Sequence, residues 1–521
     1  MFKKLKNYIS DHKLEIGILI FILLIAAFLR LYRISDYMTF LGDEGRDAIV
    51  AREILHGKFT LLGPRASAGD FFLGPVYYYM MAPFLLLFNY DPVGPAVMVA
   101  LFGVATVFLV YYVGLKFFNS KTGLMAASLY AVSPIVIAYS RSSWNPNVMP
   151  FFSLLMLYLL FVALKKQSYK LFLVVGLLLG ILMQLHYLST FLGVIVLIFI
   201  AIGEVFIKKS DLFVRYIKHY LEIFTGFLVG FSPFLLFEIR HSFPNMKAII
   251  KFVFEDNATK SYPIHQTFLS NISGSFLRIF GRLITKFPPL DQPNIFNDPY
   301  ILLWILATVI LAVLSVATLF YAKDKIKILL ISLWMFLSIV LFGFYKKPIY
   351  DYYFGFVFPL PFLLIGGFLS KISELKKYKK TGLIVSYTLF IGLMFLNLSG
   401  NPFQFAPNRQ KDEAKNVADF VLSKTDGKPF NFALLTDGNS DHLFRYFFEV
   451  ENRAPVTILN SSIDPQRNSV TSQLMVVCEK QVCLPLGNSL WEVAGFGRAD
   501  IAGEWDVPYV KIYKLVHYKG N

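Results

Sequence analysis

Charged residues are scarce in this chain of 521 residues. Asp, Glu, Lys and Arg together make up 16% of it, whereas 56% is hydrophobic and the mean hydropathy is +0.56. This composition excludes a soluble chain of this length and indicates a protein that lives in lipid. No small-residue cleavage site follows the first apolar run, which ends at Leu31, so we expect that run to stay as a membrane anchor.

Cysteines and acidic residues are also few. Cys478 and Cys483 are the two cysteines, and their spacing leaves open a disulfide, which needs an oxidising compartment, or two free thiols. Lys and Arg number 50 against 34 Asp and Glu, which gives a net charge of +16. The lysines lie in short blocks between apolar runs rather than in one basic domain. We therefore expect membrane lipids as partners, and no nucleic acid.

Most of the chain consists of apolar segments that have roughly the length needed to cross a bilayer. They lie at 14–31, 73–88, 95–115, 122–139, 148–164, 170–185, 189–207, 219–237, 300–321, 326–344, 354–370 and 381–398. Segment 73–88 is the exception, because it is short and contains Pro75 and Pro83. Backbone groups in lipid must bond within their own segment, so the spanning segments are helices.

The distribution of Lys and Arg decides which segments cross the membrane. If all twelve crossed, the lysines at 116–121 and 165–170 would lie outside, against the positive-inside tendency. If 73–88 re-enters or lies in the interface, the cytoplasmic stretches hold 21 Lys and Arg, and the short outer loops 141–147, 184–188 and 345–353 hold 3. The sequence thus predicts a polytopic α-helical membrane protein with about eleven transmembrane helices.

This topology places three larger regions on the non-cytoplasmic side of the plasma or inner membrane: loop 32–94, loop 238–299 and everything after about 400. We predict a transmembrane domain at 1–399 and a small extracytoplasmic α/β domain at 400–521. In the second domain, 411–423 has the pattern of an amphipathic helix, and 432–436, 456–459 and 474–478 have that of short strands.

Loop 32–94 begins with four charged residues in five, directly after the first helix: Asp43, Glu44, Arg46 and Asp47. In one interpretation Asp43 caps a helix at 44–56 and the other charges are solvated. In the other, the acidic pair belongs to a pocket at the lipid boundary. The second interpretation is favoured by the segment that follows, in which Asp70 precedes a re-entrant aromatic stretch containing Tyr77 and Tyr78.

At these residues the chain resembles the GT-C superfamily of membrane glycosyltransferases, in the branch of the protein O-mannosyltransferases and the lipid A aminoarabinose transferase. Asp43-Glu44 matches an Asp-Glu pair of these families, and 74–78 matches their Pro-Pro-Leu-Tyr-Tyr-like stretch. Ser140-Arg141 is similar to their Ser-Arg motif, although 144–147 replaces the acidic residue that usually follows. Residues 237–241 resemble the place where relatives hold a basic residue for the donor phosphate. The resemblance covers about 14–400.

The resemblance implies an inverting glycosyltransferase that moves a sugar from a polyprenyl-phosphate carrier to an extracytoplasmic glycan, lipid or protein. Such a transfer needs a base for the acceptor hydroxyl, and Asp43 is our candidate, with Glu44 and Arg46 tuning it. The leaving phosphate needs cationic donors at the lipid–water boundary. Our candidates are Arg65, Arg141 and Arg240, each of which could instead be a lipid anchor or a loop salt bridge.

Further candidates for substrate binding lie on the predicted outer face: His186, His241, Lys346 and Lys347. His186 could equally be an interface residue, and the two lysines could neutralise lipid headgroups. We predict no metal site and no certain cofactor. A divalent cation could assist through Asp43 or Glu44, but no spacing of ligands demands one.

Two classes of non-enzymatic protein compete with this interpretation. A transporter or lipid flippase could use Asp43 and Glu44 for coupling, but a coupling carboxylate normally lies within the bilayer. Here the acids lie in a loop, and the spans carry few ionisable groups, namely Glu15 and Glu204 near their ends. A scaffold would depend on the region after 400, so deleting that region would abolish its function.

Overall fold

A computed structural model describes residues 11–66, 69–207, 211–254, 267–290, 295–321, 323–480 and 482–520. Parts of the predicted loops 208–218 and 238–299 lie outside these ranges. The chain divides into two compact units. The membrane unit comprises Met1–Tyr32, Thr60–Met80 and Ala96–Ala406, and the C-terminal unit comprises Arg33–Phe59, Met81–Pro95 and Pro407–Asn521. The predicted domain boundary at 399–400 stays a prediction.

Seven helices among the described residues are long and apolar enough to cross a membrane, or up to nine if each of two bent pairs is one span. The seven are Lys13–Leu31, Val93–Phe117, Asn145–Lys166, Tyr187–Phe206, Ile301–Phe320, Lys325–Gly343 and Lys379–Leu398, and the bent pairs are Leu212–Gly230 with Ser232–Arg240 and Asp351–Val357 with Pro359–Ser373. Many of their large apolar side chains are exposed, as suits surfaces that face lipid. The prediction of a polytopic helical membrane protein is confirmed.

The count is lower than the predicted eleven because two predicted spans form shorter helices. Segment 122–139 is divided into Ser120–Val132 and Pro134–Tyr139, since Ser133 is extended and proline starts the second helix. Segment 170–185 forms Tyr169–Leu185, a helix of 17 residues. Further short helices in the membrane unit are Pro244–Phe254, Phe268–Phe276, Leu277–Arg282, Ile295–Asn297 and Pro402–Gln404.

The segment that the charge distribution excluded from spanning forms the helix Val76–Leu87, with Pro83 inside it. Twelve residues of α-helix extend about 18 Å. The hydrocarbon core is about 30 Å thick. The helix is therefore too short to cross a bilayer by itself, which agrees with the predicted topology.

The C-terminal unit contains a four-stranded sheet with strand order β1-β2-β4-β3. The strands are β1 (Asn431–Leu435), β2 (Gln473–Cys478), β3 (Ala499–Val507) and β4 (Val510–His517), and the helices of the unit include Ile34–Tyr37, Gly42–Leu55, Gln410–Lys424, His442–Val450 and Trp491–Phe496. β1 and β2 are parallel, and the other pairs are antiparallel. The small C-terminal α/β region is confirmed.

Two strands of this sheet were not predicted, and one predicted strand is absent. Segment 456–459 forms no strand; its Val456 amide bonds the carbonyl of Phe430 and Ile458 packs in the core below the sheet. β3 was missed because it is an edge strand with mostly exposed residues. β4 alternates apolar and polar residues, a period-2 pattern that could have been recognised.

Candidate functional site

The acidic pair lies at the start of the helix Gly42–Leu55 in the C-terminal unit. The helix begins two residues earlier than predicted, with Leu41 as its N-cap, so the interpretation of Asp43 as the cap is wrong. Leu41 has no side-chain acceptor for the free amides of the first turn. Glu44 compensates in part, since its Oε2 accepts the Leu41 amide at 3.0 Å.

Asp43 and Glu44 have opposite surroundings although they are neighbours. The Asp43 side chain is 52% exposed, whereas Glu44 is buried. Burial raises the pKa of the Glu44 carboxyl to about 7, and the nearby carboxylates of Asp43 and Asp47 act in the same direction. Glu44 is thus a buried element of the helix start, and Asp43 is the acid of the pair that solvent can reach.

Arg46 holds Asp43 from one helical turn away. Its Nη1 donates to Asp43 Oδ1 at 2.7 Å, and its Nη2 and Nε donate to Asp47 Oδ1 at 2.7 and 2.9 Å. The Asp47 side chain is fully buried. A guanidinium anchored on a buried carboxylate therefore orients the exposed carboxylate of Asp43, which is the arrangement that a positioned base requires.

Two glycines let the start of this helix approach the segment 439–443 of the same unit. The Gly42 amide donates to Asn439 Oδ1 at 3.0 Å. A Cβ on Gly42 would lie 2.0 Å from Ser440 Oγ, and one on Gly45 would lie 2.6 Å from the His442 backbone. The close contact makes the glycines of the motif structural requirements of the Asp43 position.

His442 is a residue near Asp43 that the sequence did not reveal. Burial lowers the pKa of its imidazole, and the charges of Asp43 and Arg46 act on it as well. Its Nδ1 lies 3.0 Å from Ser440 Oγ. Nothing in the spacing of a histidine 399 residues downstream of Asp43 signals this proximity, because only the fold of the unit produces it.

In the membrane unit, side chains from the predicted outer loops meet. Tyr77, which is fully buried, shares a hydrogen bond of 2.9 Å with Ser143 Oγ. Tyr78, next to it on the same helix, is also buried. The Val76 amide donates to Gln184 Oε1 at 3.2 Å. The short helix Val76–Leu87 therefore begins against the loops 141–147 and 184–188, as a shared face requires.

Arg141 is buried and contacts the end of the first span. Its Nη1 donates to the carbonyl of Leu29 at 2.8 Å and its Nη2 to that of Tyr32 at 2.9 Å. The ring of Phe403 lies 5.2 Å from its guanidinium carbon. A cation at these carbonyls interacts favourably with the dipole of the first helix, which ends there. Arg141 therefore stabilises the end of the first helix, which is a structural role for the Ser-Arg pair.

The other candidate arginines and their neighbours are more exposed. Arg65 is ion-paired with Asp70, with 2.5 Å between Nη2 and Oδ1, and both side chains are exposed. Arg240 ends the helix Ser232–Arg240 and is exposed, and its side chain has no hydrogen bond or ion pair to any residue in the described part of the chain. His241 follows it, with Nδ1 2.9 Å from the carbonyl of Phe237.

The remaining candidates surround an aromatic cluster. His186 is buried, and the rings of Tyr187 and Tyr353 lie 4.6 and 5.2 Å from its own. Lys346 is exposed, and Lys347 lies over a phenylalanine ring at 5.9 Å. The loops 184–188 and 345–353 are thus in contact, as predicted for short loops on one face.

A pair of arginines beside this cluster was not predicted from the sequence. Arg278 and Arg282 lie on the π-helical segment Leu277–Arg282 and both bind Asp351, the second with 2.7 Å between Nη2 and Oδ2. All three side chains are largely buried. Arginines four residues apart in the predicted outer loop 238–299, with an acid in loop 345–353, were the available signal. Both guanidinium groups are therefore already paired with the carboxylate of Asp351.

The site residues are distributed over the two units. Asp43, Glu44 and Arg46 belong to the C-terminal unit, and the other ten candidates belong to the membrane unit. Direct contacts join Asp43 with Arg46 and Arg65 with Asp70. Among the residues that the structure describes, no group of three or more His, Cys, Asp or Glu side chains could hold a metal ion.

Comparisons with known proteins match this architecture. The family model described as dolichyl-phosphate-mannose-protein mannosyltransferase matches residues 73–237. ArnT from Cupriavidus metallidurans, crystallised bound to undecaprenyl phosphate, is similar with a TM-score of 0.61 and 13% identity, over 97% of this chain and 98% of that one. No curated protein matches the chain in sequence.

A second type of solved structure is also similar. The archaeal oligosaccharyltransferase AglB from Archaeoglobus fulgidus, in complex with an inhibitory peptide and a dolichol-phosphate, has a TM-score of 0.53 and 12% identity, over 90% of this chain and 70% of that one. The chain is thus an integral membrane protein with the fold of these solved structures. More particularly, the chain has the same fold as ArnT and AglB, and the family match at 73–237 and these structures bear out the resemblance predicted from the sequence.

Proposed function

We propose that this protein transfers a sugar, with inversion, from a polyprenyl-phosphate carrier to an acceptor hydroxyl outside the cytoplasm. The family match and the lipid-phosphate complexes of ArnT and AglB support a lipid-linked donor. The observation that carries the catalytic assignment is the exposed carboxylate of Asp43, oriented by Arg46 at 2.7 Å. In this proposal Asp43 removes the acceptor proton as the hydroxyl oxygen attacks the anomeric carbon and the carrier phosphate leaves.

The departing phosphate needs a cation whose donors are available. Arg240 is exposed and has no ionic partner among the described residues, and the exposed Lys346 offers a second positive charge. Both terminal nitrogens of Arg141 already donate to carbonyls. We therefore assign carrier phosphate binding to Arg240, and to Arg141 the positioning of the end of the first span.

The disulfide of the C-terminal unit supports an extracytoplasmic location of the reaction. Cys478 and Cys483 form a disulfide in the structure. Of the two possibilities that their spacing left open, the structure therefore has the disulfide and not two free thiols. Such bonds persist in oxidising compartments. The acceptor in this proposal is a glycan, lipid or protein on that side of the membrane.

The competing transporter proposal gains no support from the acids of the spans. Glu204 is buried, but its Oε2 is paired with Arg215 Nε at 2.8 Å and its Oε1 accepts an amide hydrogen from Gln167 at 2.8 Å. A coupling carboxylate has to bind and release a cation along a water-filled path. A carboxylate held by a guanidinium and an amide is instead a structural contact.

The experiment that tests the base is Asp43→Asn in the purified full-length protein, supplied with a panel of polyprenyl-phosphate sugars. Loss of a general base should lower the release of carrier phosphate by about 10²- to 10⁴-fold, with carrier binding little changed. Glu53→Gln is the matched control, since Glu53 lies on the same helix and is exposed. Equal turnover of Asp43→Asn and wild type would overturn the assignment.

Arg240→Ala tests the phosphate contact separately. It should raise the KM for the donor more than it lowers kcat, because the contact is present before the reaction. Lys247→Ala removes another exposed cation of the same loop and serves as the control. An unchanged KM in Arg240→Ala would refute this part of the proposal while leaving the role of Asp43 open to its own test.

A further inference from the structure

A polar cavity of about 320 Å³ lies in the membrane unit where the ends of several helices meet. Its wall includes the end of Val93–Phe117, the start of Ser120–Val132, the residues before Lys325–Gly343 and the end of Pro359–Ser373. Because it lies at the ends of spanning helices, it is at the depth of lipid headgroups. By the distribution of positive charge, these are the predicted cytoplasmic ends. We call it the lysine pocket.

The lining of the lysine pocket carries excess positive charge. Lys323, Lys327 and Lys371 line it together with Asp324 and Glu374. Asp324 is ion-paired at 3.0 Å with Lys165, which is outside the lining. The three ammonium groups outnumber the two carboxylates, and Glu374 accepts hydrogen bonds from Asn119 Nδ2 at 3.2 Å and from Ser370 Oγ at 3.4 Å.

The lining also contains a fixed ammonium group and a hydroxyl with no hydrogen-bond partner in the described part of the chain. Lys327 Nζ is fixed in the wall, since it donates to the carbonyls of Lys116 and Phe117 at 2.8 and 3.2 Å. The Thr122 hydroxyl is buried, and it has no hydrogen-bond partner within the described ranges. A buried hydroxyl without a partner is costly, and it is satisfied when a ligand brings an acceptor oxygen.

We propose that the lysine pocket binds the phosphate of an anionic phospholipid from the cytoplasmic leaflet. The cations and the hydroxyl fit phosphate oxygens. A lipid is favoured over free phosphate because the rim is apolar as well. Phe320, two residues after the lining residue Thr318, is 88% exposed and offers a surface for an acyl chain. The site is independent of the proposed transfer reaction, which takes place on the opposite side of the membrane.

The test is lipid binding to full-length protein in detergent, measured by native mass spectrometry. Phosphatidylglycerol should bind in preference to phosphatidylcholine. The double variant Lys323→Gln/Lys371→Gln should lose affinity by about 10- to 30-fold, as expected for two headgroup contacts. Lys376→Gln/Lys377→Gln is the matched control, since these exposed lysines lie in the same loop but outside the lining.

Thr122→Val provides a second, isosteric test, and it should also weaken the binding of phosphatidylglycerol, because it removes the hydroxyl that donates to a phosphate oxygen. Equal affinities of the lining variants, the control variant and the wild type would overturn the site. Binding of inorganic phosphate at the pocket with no preference for phosphatidylglycerol over phosphatidylcholine would overturn the assignment to a lipid.

Discussion

At the scale of single residues, burial separates the roles of two adjacent acids. Asp43 is exposed and ion-paired with Arg46, whereas Glu44 is buried and accepts the amide of Leu41. Environment can in this way push the pKa values of two carboxyl groups apart and give them different roles. The orientation of Asp43 depends in turn on Asp47, the buried carboxylate that anchors Arg46.

The raised pKa of Glu44 predicts a dependence of stability on pH. Its pKa is about 7 in the folded protein, against about 4.3 for an unperturbed glutamate. Between these values the folded state binds more protons than the unfolded state, so stability should fall as pH rises through this window. Glu44→Gln keeps an acceptor for Leu41 and removes the charge.

Thermal unfolding of the detergent-solubilised protein at pH 5 and pH 7.5 measures the effect. The melting temperature of the wild type should fall over this range by more than that of Glu44→Gln. Glu53→Gln, at an exposed position of the same helix, should follow the wild type. Parallel pH profiles for Glu44→Gln and wild type would contradict the buried state of this carboxyl.

At the scale of elements, glycines set how closely helices approach. In the membrane unit, the neighbouring parallel helices Tyr169–Leu185 and Leu212–Gly230 each carry two glycines four residues apart. A Cβ on Gly176 would lie 2.0 Å from the carbonyl oxygen of Ile223, and one on Gly226 would lie 2.0 Å from that of Leu173. Small residues that let backbones touch are a main source of helix association in lipid.

Gly226→Val should therefore force these two helices apart. Overpacking of this kind costs about 1–3 kcal/mol, so the melting temperature and the yield of folded protein should fall. Gly392→Val is the control, because a Cβ there meets nothing within 4 Å and the helix is also a span. If both variants unfold alike, the close contact does not stabilise the pair.

In the C-terminal unit, Gly45→Ala tests the contact behind Asp43. The added Cβ would meet the His442 backbone at 2.6 Å, so the start of the helix must shift, and Asp43 with it. We expect a loss of about 1–3 kcal/mol in stability and a fall in sugar transfer. Gly438→Ala, where a Cβ has open space, should leave both unchanged. Wild-type transfer by Gly45→Ala would show that the position of Asp43 does not depend on this contact.

At the scale of the whole molecule, the topology predicted from the charge distribution assigns each region to a side of the membrane. The contacts of loops 141–147, 184–188 and 345–353 with one another and with the segment 71–77 agree with a common face. The disulfide between Cys478 and Cys483 agrees with an oxidising compartment for the C-terminal unit.

Cysteine accessibility in intact cells tests this arrangement. In a Cys478→Ser/Cys483→Ser background, a membrane-impermeant maleimide should label Lys346→Cys and leave Lys121→Cys unlabelled until the membrane is opened. In the wild type, Cys478 and Cys483 should react with maleimide only after reduction. Labelling of Lys121→Cys from outside would show that the predicted cytoplasmic loops face the exterior, and it would contradict the predicted topology.

The sequence by itself determined the features that depend on local composition. Apolar runs predicted most of the spanning helices, the distribution of lysines predicted that 73–88 does not span, and short motifs predicted the fold and made Asp43 a candidate base. These signals are read from neighbouring residues, because hydrophobic length and charge act on each segment separately.

Only the tertiary structure decided which polar and charged residues of the two units have partners. The bonding of Arg141 to carbonyls, the pairing of Arg278 and Arg282 with Asp351, and the approach of His442 to the start of the helix at Gly42 all join residues far apart in the chain. The burial of Glu44 and the pairing of β2 with β4 likewise depend on contacts between distant residues. Long-range contacts depend on how whole elements pack, which no local pattern of residues encodes.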